Sequence, residues 1–437
     1  MSESRLQTIT DPRTGESCVR IDHPSGLPIF VWPKAGYTSC YAVFATRYGS
    51  IDTAFRMDGA AEDTVVPAGI AHFLEHKLFE NEDCDAFARY AKTGASANAY
   101  TSFDRTAYLF TCTDRLEESL DILLDFVQSP YFTKETVEKE QGIIGQEIRM
   151  CEDSPSRRVL FNLLKGLYAR HPVRIDIAGT VESIAGITPE LLYGCYHTFY
   201  NLHNMVLCVT GNVTLEQVLA AADRQLKPAP PWELERAVTA EPPAAVQPRV
   251  EDTMPVASPL FYLGFKERFT QEDGNRCRTP QELIAAEVLT DLLVGRASPL
   301  YASLMERGLI NANFSADYWD GPGYAVWLFG GESADPDTVA AEIQAEIARQ
   351  RAQGLDEKAF AAARNAVYGR LIAAMNDVEN CGDMLLNDYF YQRKPFALID
   401  AAATLDIQSV YALLQESLQP EAATLSVVRP PQTSAGV

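Results

Sequence analysis

A proline-rich segment at residues 227–251, KPAPPWELERAVTAEPPAAVQPRVE, is the feature that most limits how this chain can fold. Six prolines in an acidic, alanine-rich background remove backbone donors and leave no continuous apolar face. Length alone suggests about three domains for 437 residues. The break favours two: residues 1–228 and 250–437, joined by a linker at 229–249.

The halves share an order of elements. In the first, a β-rich run at 40–48 precedes a helical run at 67–79. A strand at 106–112, an amphipathic helix at 116–127, a long helix at 134–151 and a strand at 206–211 follow. The second half repeats this with a β run at 260–265, a helix at 281–294 and a strand at 324–329. Helices at 337–350 and 357–375 and a strand at 424–428 complete it. This order predicts two related domains arisen by duplication. Strands grouped apart from helices favour α+β over alternating βαβ units.

Charge and cysteine usage narrow the function classes. The formal charge is −22. So acidic a surface repels phosphate, which argues against nucleic acid and anionic membrane as partners. No apolar run is long enough to span a bilayer. The first residues, MSESR, have no apolar segment of the kind an export signal needs. Nine cysteines, odd in number and never spaced C-x-x-C, read as reduced thiols of a cytoplasmic protein. Cys112, Cys151 and Cys208 fall in apolar runs and are expected in the core. Neither a G-x-S-x-G elbow nor a glycine-rich phosphate loop is present.

The chemistry concentrates at His72-Phe73-Leu74-Glu75-His76. Pro67 suits a first helical turn. Ile70, Phe73, Leu74 and Leu78 then make one apolar stripe, and His72, Glu75, His76 and Phe79 the neighbouring one. A helix apolar around most of its circumference is expected to be buried. Three ionisable side chains buried together need compensation. Two imidazoles four residues apart can reach one Zn²⁺, which accepts nitrogen and carboxylate ligands. A catalytic zinc needs a third protein ligand. The helix at 134–151 offers Glu138, Glu140 and Glu147, with Val137, Ile144 and Ile148 as its core stripe. Glu140 and Glu147 share a face two turns apart, and spacing alone does not choose between them. Gly142 and Gly145 weaken this helix and suggest close approach of another backbone. His171 and His197 read as capping or packing residues.

H-F-L-E-H, followed by EKEQGIIGQEIRM with Glu140 and Glu147, resembles the insulinase/pitrilysin zinc metallopeptidases, the inverzincins. Further similar segments are GASANAYTSFDRTAY at 94–108, HPVRIDIAGTVESI at 171–184, YNLHNMVLCVTGNV at 200–213 and SPLYASLMERGLI at 298–310. The resemblance thus covers most of the chain. It implies two α+β domains, each a largely antiparallel six-stranded sheet packed with helices, facing each other as a clamshell. His72, His76 and Glu147 would bind one zinc per chain. Glu75 would be the general base that activates the attacking water, with Glu140 as a supporting carboxylate. Asn98, in a run with Ala99 and Tyr100, would hold substrate backbone at an exposed sheet edge by strand addition. The implied activity is endoproteolysis of short unfolded peptides.

One part of the family pattern is altered. Many active members carry an Arg and a Tyr in the second half. Here Met305 and Asn311 stand about where those residues are expected, with Arg307, Tyr318 and Tyr324 as possible substitutes. The segment looks most like a bacterial subgroup encoded as pairs, in which the partner chain lacks H-x-x-E-H. The second half lacks that motif too, reading LIAAEVLTDL at 283–292. A homodimer, or a heterodimer with a related chain, is therefore expected. The alternative to a peptidase is a non-catalytic or partner-dependent subunit of a peptide-maturation or protein-modification system.

Overall fold

The computed structural model describes residues 5–57, 62–82, 85–231, 233–270 and 273–431. Part of the N-terminal segment read above, Cys84, and Trp232 of the linker lie outside them. Among the described residues no single helix is long and apolar enough to cross a membrane.

The chain divides into two compact units. The first holds a seven-stranded sheet. Its spatial order is Arg5–Thr10, Ser17–Asp22, Pro28–Pro33, Met205–Gly211, Cys40–Thr46, Thr106–Cys112 and Ser96–Thr101. Only the Pro28–Pro33/Met205–Gly211 pair is parallel. The second unit holds a five-stranded sheet in the order Arg249–Thr253, Ala423–Arg429, Leu260–Lys266, Tyr324–Glu332 and Ser315–Gly321. Again only the first pair is parallel. Numbered along the chain, five strands of each sheet therefore follow one order, 1-5-2-4-3, which is the topological mark of a duplication. The expected six strands per sheet are corrected to seven and five. The first sheet gains the hairpin Arg5–Thr10/Ser17–Asp22, whose outer strand is almost wholly exposed.

Neither unit is continuous in sequence. The first comprises residues 1–148, 176–237 and 372–397; the second comprises 149–175, 238–371 and 398–437. The division at the linker misses this exchange. Its cause is the need to cover both faces of each sheet. Cys40–Thr46 and Met205–Gly211 are buried on both faces. One of those faces is covered by the helix Val378–Phe390, from the far end of the chain. Its Gly382 lies so close to Tyr41 that a Cβ there would come within 2.5 Å of the ring. Thr210 Oγ1 donates to the Val378 carbonyl at 2.5 Å. In the second unit, Pro155–Leu167 does the same work. Ser426 Oγ donates to Val159 O at 2.8 Å, and Gly264 packs against Leu163. A periodic apolar pattern shows that a helix has a buried face, but not which sheet buries it.

The linker is also less empty than its prolines suggest. Leu234–Arg236 pairs with Ala54–Met57 in a small three-stranded sheet. Farther along, the Glu241 carboxylate accepts the backbone N–H groups of Ala169, Arg170 and His171. Cys112 and Cys208 are buried as expected, whereas Cys151 is only half-buried.

His171 caps the short helix Pro172–Arg174, its Nδ1 accepting from Val173 N at 3.2 Å. Its Nε2 donates to the Pro322 carbonyl at 3.3 Å. Burial pushes its pKa down from 6.5 to about 4. Above pH 6.5 both folded and unfolded forms are neutral. As pH falls from 6.5 to 4 the unfolded chain takes the proton first, so stability is lost through that window. A gap of this size corresponds to about 3 kcal/mol. His171→Asn should accordingly flatten the acid limb of a calorimetric Tm–pH profile between pH 4 and 6.5. An unchanged limb would assign the acid sensitivity elsewhere.

Candidate metal centre

The helix Ile70–Leu78 starts at Gly69, whose φ is +90°. A Cβ at Gly69 would lie 2.4 Å from the Ala178 carbonyl oxygen, so both conformation and space call for glycine. Ser183 Oγ donates to Ala68 O at 2.8 Å and ties the same turn down. The segment at 171–184 that resembled the family thus helps to seat the start of this helix. As expected from its stripes, the helix buries Ile70, Ala71, Phe73, Leu74, Glu75, Lys77 and Leu78. The fully buried Lys77 is ion-paired to Glu80.

The helix Lys134–Glu152 runs beside it, burying Val137, Glu140, Ile144, Gly145 and Ile148. Gln141 Nε2 donates to Ile187 O at 3.0 Å and fixes its rotation. Among the described residues, the expected close backbone contact at the two glycines is absent. A Cβ on Gly142 or Gly145 would meet nothing within 4 Å beyond the helix's own backbone and chain neighbours. Gly142→Ala and Gly145→Ala should each raise stability by about 0.5–1 kcal/mol, seen as a higher Tm. A lowered Tm for either would show that the space is needed.

These two helices bring His72, His76 and Glu147 together. One donor atom from each lies within 4.8 Å of the others. His72 Nε2 is 3.6 Å from Glu147 Oε1, and His76 Nε2 is 3.5 Å from Glu147 Oε2. Ligands about 2.1 Å from a tetrahedral ion are separated by roughly 3.4 Å, so the spacing fits one small divalent cation. The donor set, two imidazole nitrogens and one carboxylate, is also one that zinc accepts.

Glu140 is placed differently. Its Oε1 lies 3.0 Å from His76 Nδ1, the ring nitrogen opposite the one facing Glu147. It therefore orients the imidazole and leaves Nε2 for a metal. Burial alone would lower the His76 pKa. The bond to Glu140 and the charges of Glu75, Glu140 and Glu147 overcome that and hold it above the ordinary imidazole value. Burial opposes the ionised form of Glu140 as well. The His76 bond, with the charges of His76, Lys77 and Lys139, keeps its pKa low. Glu138, the third candidate ligand, is exposed and lies 3.8 Å from Lys134.

Glu75 sits between these groups and the sheet. Its Oε2 accepts from Thr101 Oγ1 at 2.7 Å. Burial raises its pKa, and the nearby Glu147 carboxylate adds to this, against the Thr101 bond and the charge of His76. A carboxyl made more basic in this way is suited to accept a proton. The Thr101 contact was not foreseen from sequence, although Thr101 lies in the same N-A-Y-T run as Asn98.

Among the described residues, Ser96–Thr101 is the last strand of its sheet, with one edge unpaired. Asn98 is exposed, and its Oδ1 accepts from the Ala99 backbone. Asn98 and Ala99 line an open cavity of about 610 Å³ together with Glu75, His76, Phe79 and Glu140. Tyr100 alternates with Thr101 and turns to the other side of the sheet. There burial and the Asp383 carboxylate push its pKa up to about 12. The structure thus sets Asn98 and Ala99, but not Tyr100, along the cavity that Glu75 and His76 also line. In the second unit, Tyr318 is packed against Trp327, and its hydroxyl accepts from Arg278 Nε at 3.2 Å. Arg307 pairs with Glu342, and Asn311 donates to Glu332.

Residues 57–181, which hold His72, Glu75, His76, Glu140 and Glu147, match the family described as Insulinase (Peptidase family M16). Residues 186–367 match the Peptidase M16 inactive domain. The chain is 40% identical over 414 residues to YmfH of Bacillus subtilis, described as an uncharacterized zinc protease. That match covers 93% of this chain and 95% of the relative. A crystal structure described as an M16-like peptidase, from Alicyclobacillus acidocaldarius, superposes with a TM-score of 0.88 at 38% identity. The superposition covers 98% of this chain and 99% of that one. The mitochondrial-processing peptidase subunit beta of Caenorhabditis elegans is 28% identical over 207 residues, 46% of this chain and 43% of the relative. A duplicated sheet topology, a His-His-Glu cluster in the first unit and 40% identity to the Bacillus subtilis relative over 93% of the chain place this protein in the insulinase (M16) peptidase family.

Proposed function

We propose that this chain is a zinc metalloendopeptidase that cleaves short, unfolded peptides. The observation that carries the reading is the convergence of His72, His76 and Glu147 within 4.8 Å, with Glu75 alongside and held by Thr101. Three carboxylates against two imidazoles leave a negative excess that a divalent cation offsets. Zinc, when bound, supplies a Lewis acid for peptide hydrolysis.

The protein's own groups do the rest. Glu140 holds His76 in the tautomer that leaves Nε2 free. Glu75 takes a proton from the attacking water through its raised basicity and passes it to the departing amine. Thr101 fixes one Glu75 oxygen and leaves the other to work. The open edge of Ser96–Thr101 aligns an extended substrate by main-chain hydrogen bonds, which read backbone rather than side chains. Broad sequence tolerance follows.

One specific observation favours a second reading, a subunit that needs a partner. Met305 and Asn311 stand where the Arg and Tyr are expected, and the nearby Arg307 and Tyr318 are already engaged by Glu342 and Arg278. A homodimer, or a related chain, would then complete the substrate contacts.

The test is metal analysis of the purified chain together with mass spectrometry of a mixed peptide pool incubated with it. One zinc per chain, with cleavage abolished by a chelator and restored by zinc, is the expected result. One zinc without any cleavage would select the partner-dependent reading. No zinc would overturn both the metal assignment and the activity.

A further inference from the structure

Cys40 and Cys112 stand directly opposite each other at one end of the first sheet. Cys40 opens the strand Cys40–Thr46, and Cys112 closes Thr106–Cys112. Opposed residues of an antiparallel pair project to the same face with Cα atoms about 4.5–5.5 Å apart. A disulfide takes about 4.4–6.8 Å. Cys40 Sγ donates to the Asn212 carbonyl at 2.7 Å. Both cysteines belong to the first unit's core. Yet Thr38 and Thr113, two and one residues outward, are exposed, so a short fraying of the strand ends opens the pair to solvent.

We infer that Cys40 and Cys112 form a reversible dithiol–disulfide pair, oxidised by hydrogen peroxide, that staples the metal-bearing part of the first unit. The thiolate of Cys112 attacks one peroxide oxygen, and the O–O bond breaks to leave hydroxide, which is protonated to water. The Cys112 sulfenic acid so formed is displaced at sulfur by the Cys40 thiolate. A sulfur–sulfur bond forms, and the leaving hydroxide takes up the Cys40 proton as a second water. Two thiols are oxidised by two electrons and one peroxide is reduced. The neighbouring Cys40 thiol, with the backbone at Asp114, draws the Cys112 pKa down against burial, while Cys40 keeps its proton on Asn212 O.

The position of the pair gives the bond its consequence. The loop it would close, residues 40–112, carries the helix Ile70–Leu78 with His72, Glu75 and His76, and the edge strand Ser96–Thr101. Cross-linking a loop of that length mainly restricts the unfolded chain. Oxidation would thus stabilise the folded arrangement of the segments that build the centre, and thiol reduction would remove that gain.

The experiment treats the whole zinc-loaded chain with hydrogen peroxide, blocks remaining thiols, and maps peptides with and without reductant. Expected are a 40–112 linked peptide, lost on reduction, and a Tm higher by about 10 °C than the reduced protein. Cys112→Ala and Cys40→Ala, each folded by calorimetry, should lose both the linked peptide and the Tm gain. Both thiols still blockable after treatment, or either cysteine linked elsewhere, would overturn the assignment. A 40–112 bond without a rise in Tm would overturn the stapling role.

Discussion

Glu75→Gln should lower kcat/KM for peptide cleavage by about 10³-fold while leaving one zinc per chain. The substitution keeps the size of the side chain and an oxygen that can still accept from Thr101. What it removes is the ability to take a proton. General acid–base groups contribute about 10²–10⁴-fold, so a 10³-fold loss, near 4 kcal/mol of barrier, is the central expectation. Zinc content decides the interpretation. A loss of activity with metal retained assigns the proton transfer to Glu75. Loss of both would mean that Glu75 holds the centre together, and a residual rate above a tenth of the wild type would remove it from the reaction.

The second large effect separates two carboxylates on one helix. Glu147→Gln should leave the chain unable to retain zinc through gel filtration. His72→Ala and His76→Ala should do the same, because each removes one of the three donors that converge there among the described residues. Glu140→Gln should behave otherwise. Glu140 touches the Nδ1 side of His76, away from the cluster, so its role is to orient and polarise the ring. Carboxylates placed in that way change metal affinity about 10–100-fold. Zinc titration against a competing chelator measures the difference. Equal losses for Glu140→Gln and Glu147→Gln would refute the distinction.

That distinction marks where sequence reasoning reached its limit. Glu140 and Glu147 lie seven residues apart and present the same face, so periodicity treats them alike. Only the placement of His76 against the helix Lys134–Glu152 gives one carboxylate Nδ1 and the other Nε2. Thr101 is a similar case. Strand alternation says that Tyr100 and Thr101 face opposite sides, but not which side carries Glu75. The glycines at 142 and 145 misled because a helix-weakening residue suggests a close neighbour, and here the space beside them is open.

The sequence by itself determined much of what is local. His72, Glu75 and His76 lie within one helical turn or so of each other, and their relative placement follows from α-helical geometry once the helix forms. The helices at 116–127 and 134–151 and the strands at 106–112 and 206–211 were legible because apolar residues recur along each of them with the period of its element. The common order of elements in the two halves was legible for the same reason, and it resurfaces as the shared 1-5-2-4-3 strand order. Tertiary structure alone decided which helix covers which sheet. Val378–Phe390 joins the first unit and Pro155–Leu167 the second, although each lies in the other half of the chain. An amphipathic helix records in its sequence that one face must leave water. The hydrophobic effect is non-directional, so the sheet that receives that face is chosen by shape, as at Gly382 against Tyr41 and Gly264 against Leu163.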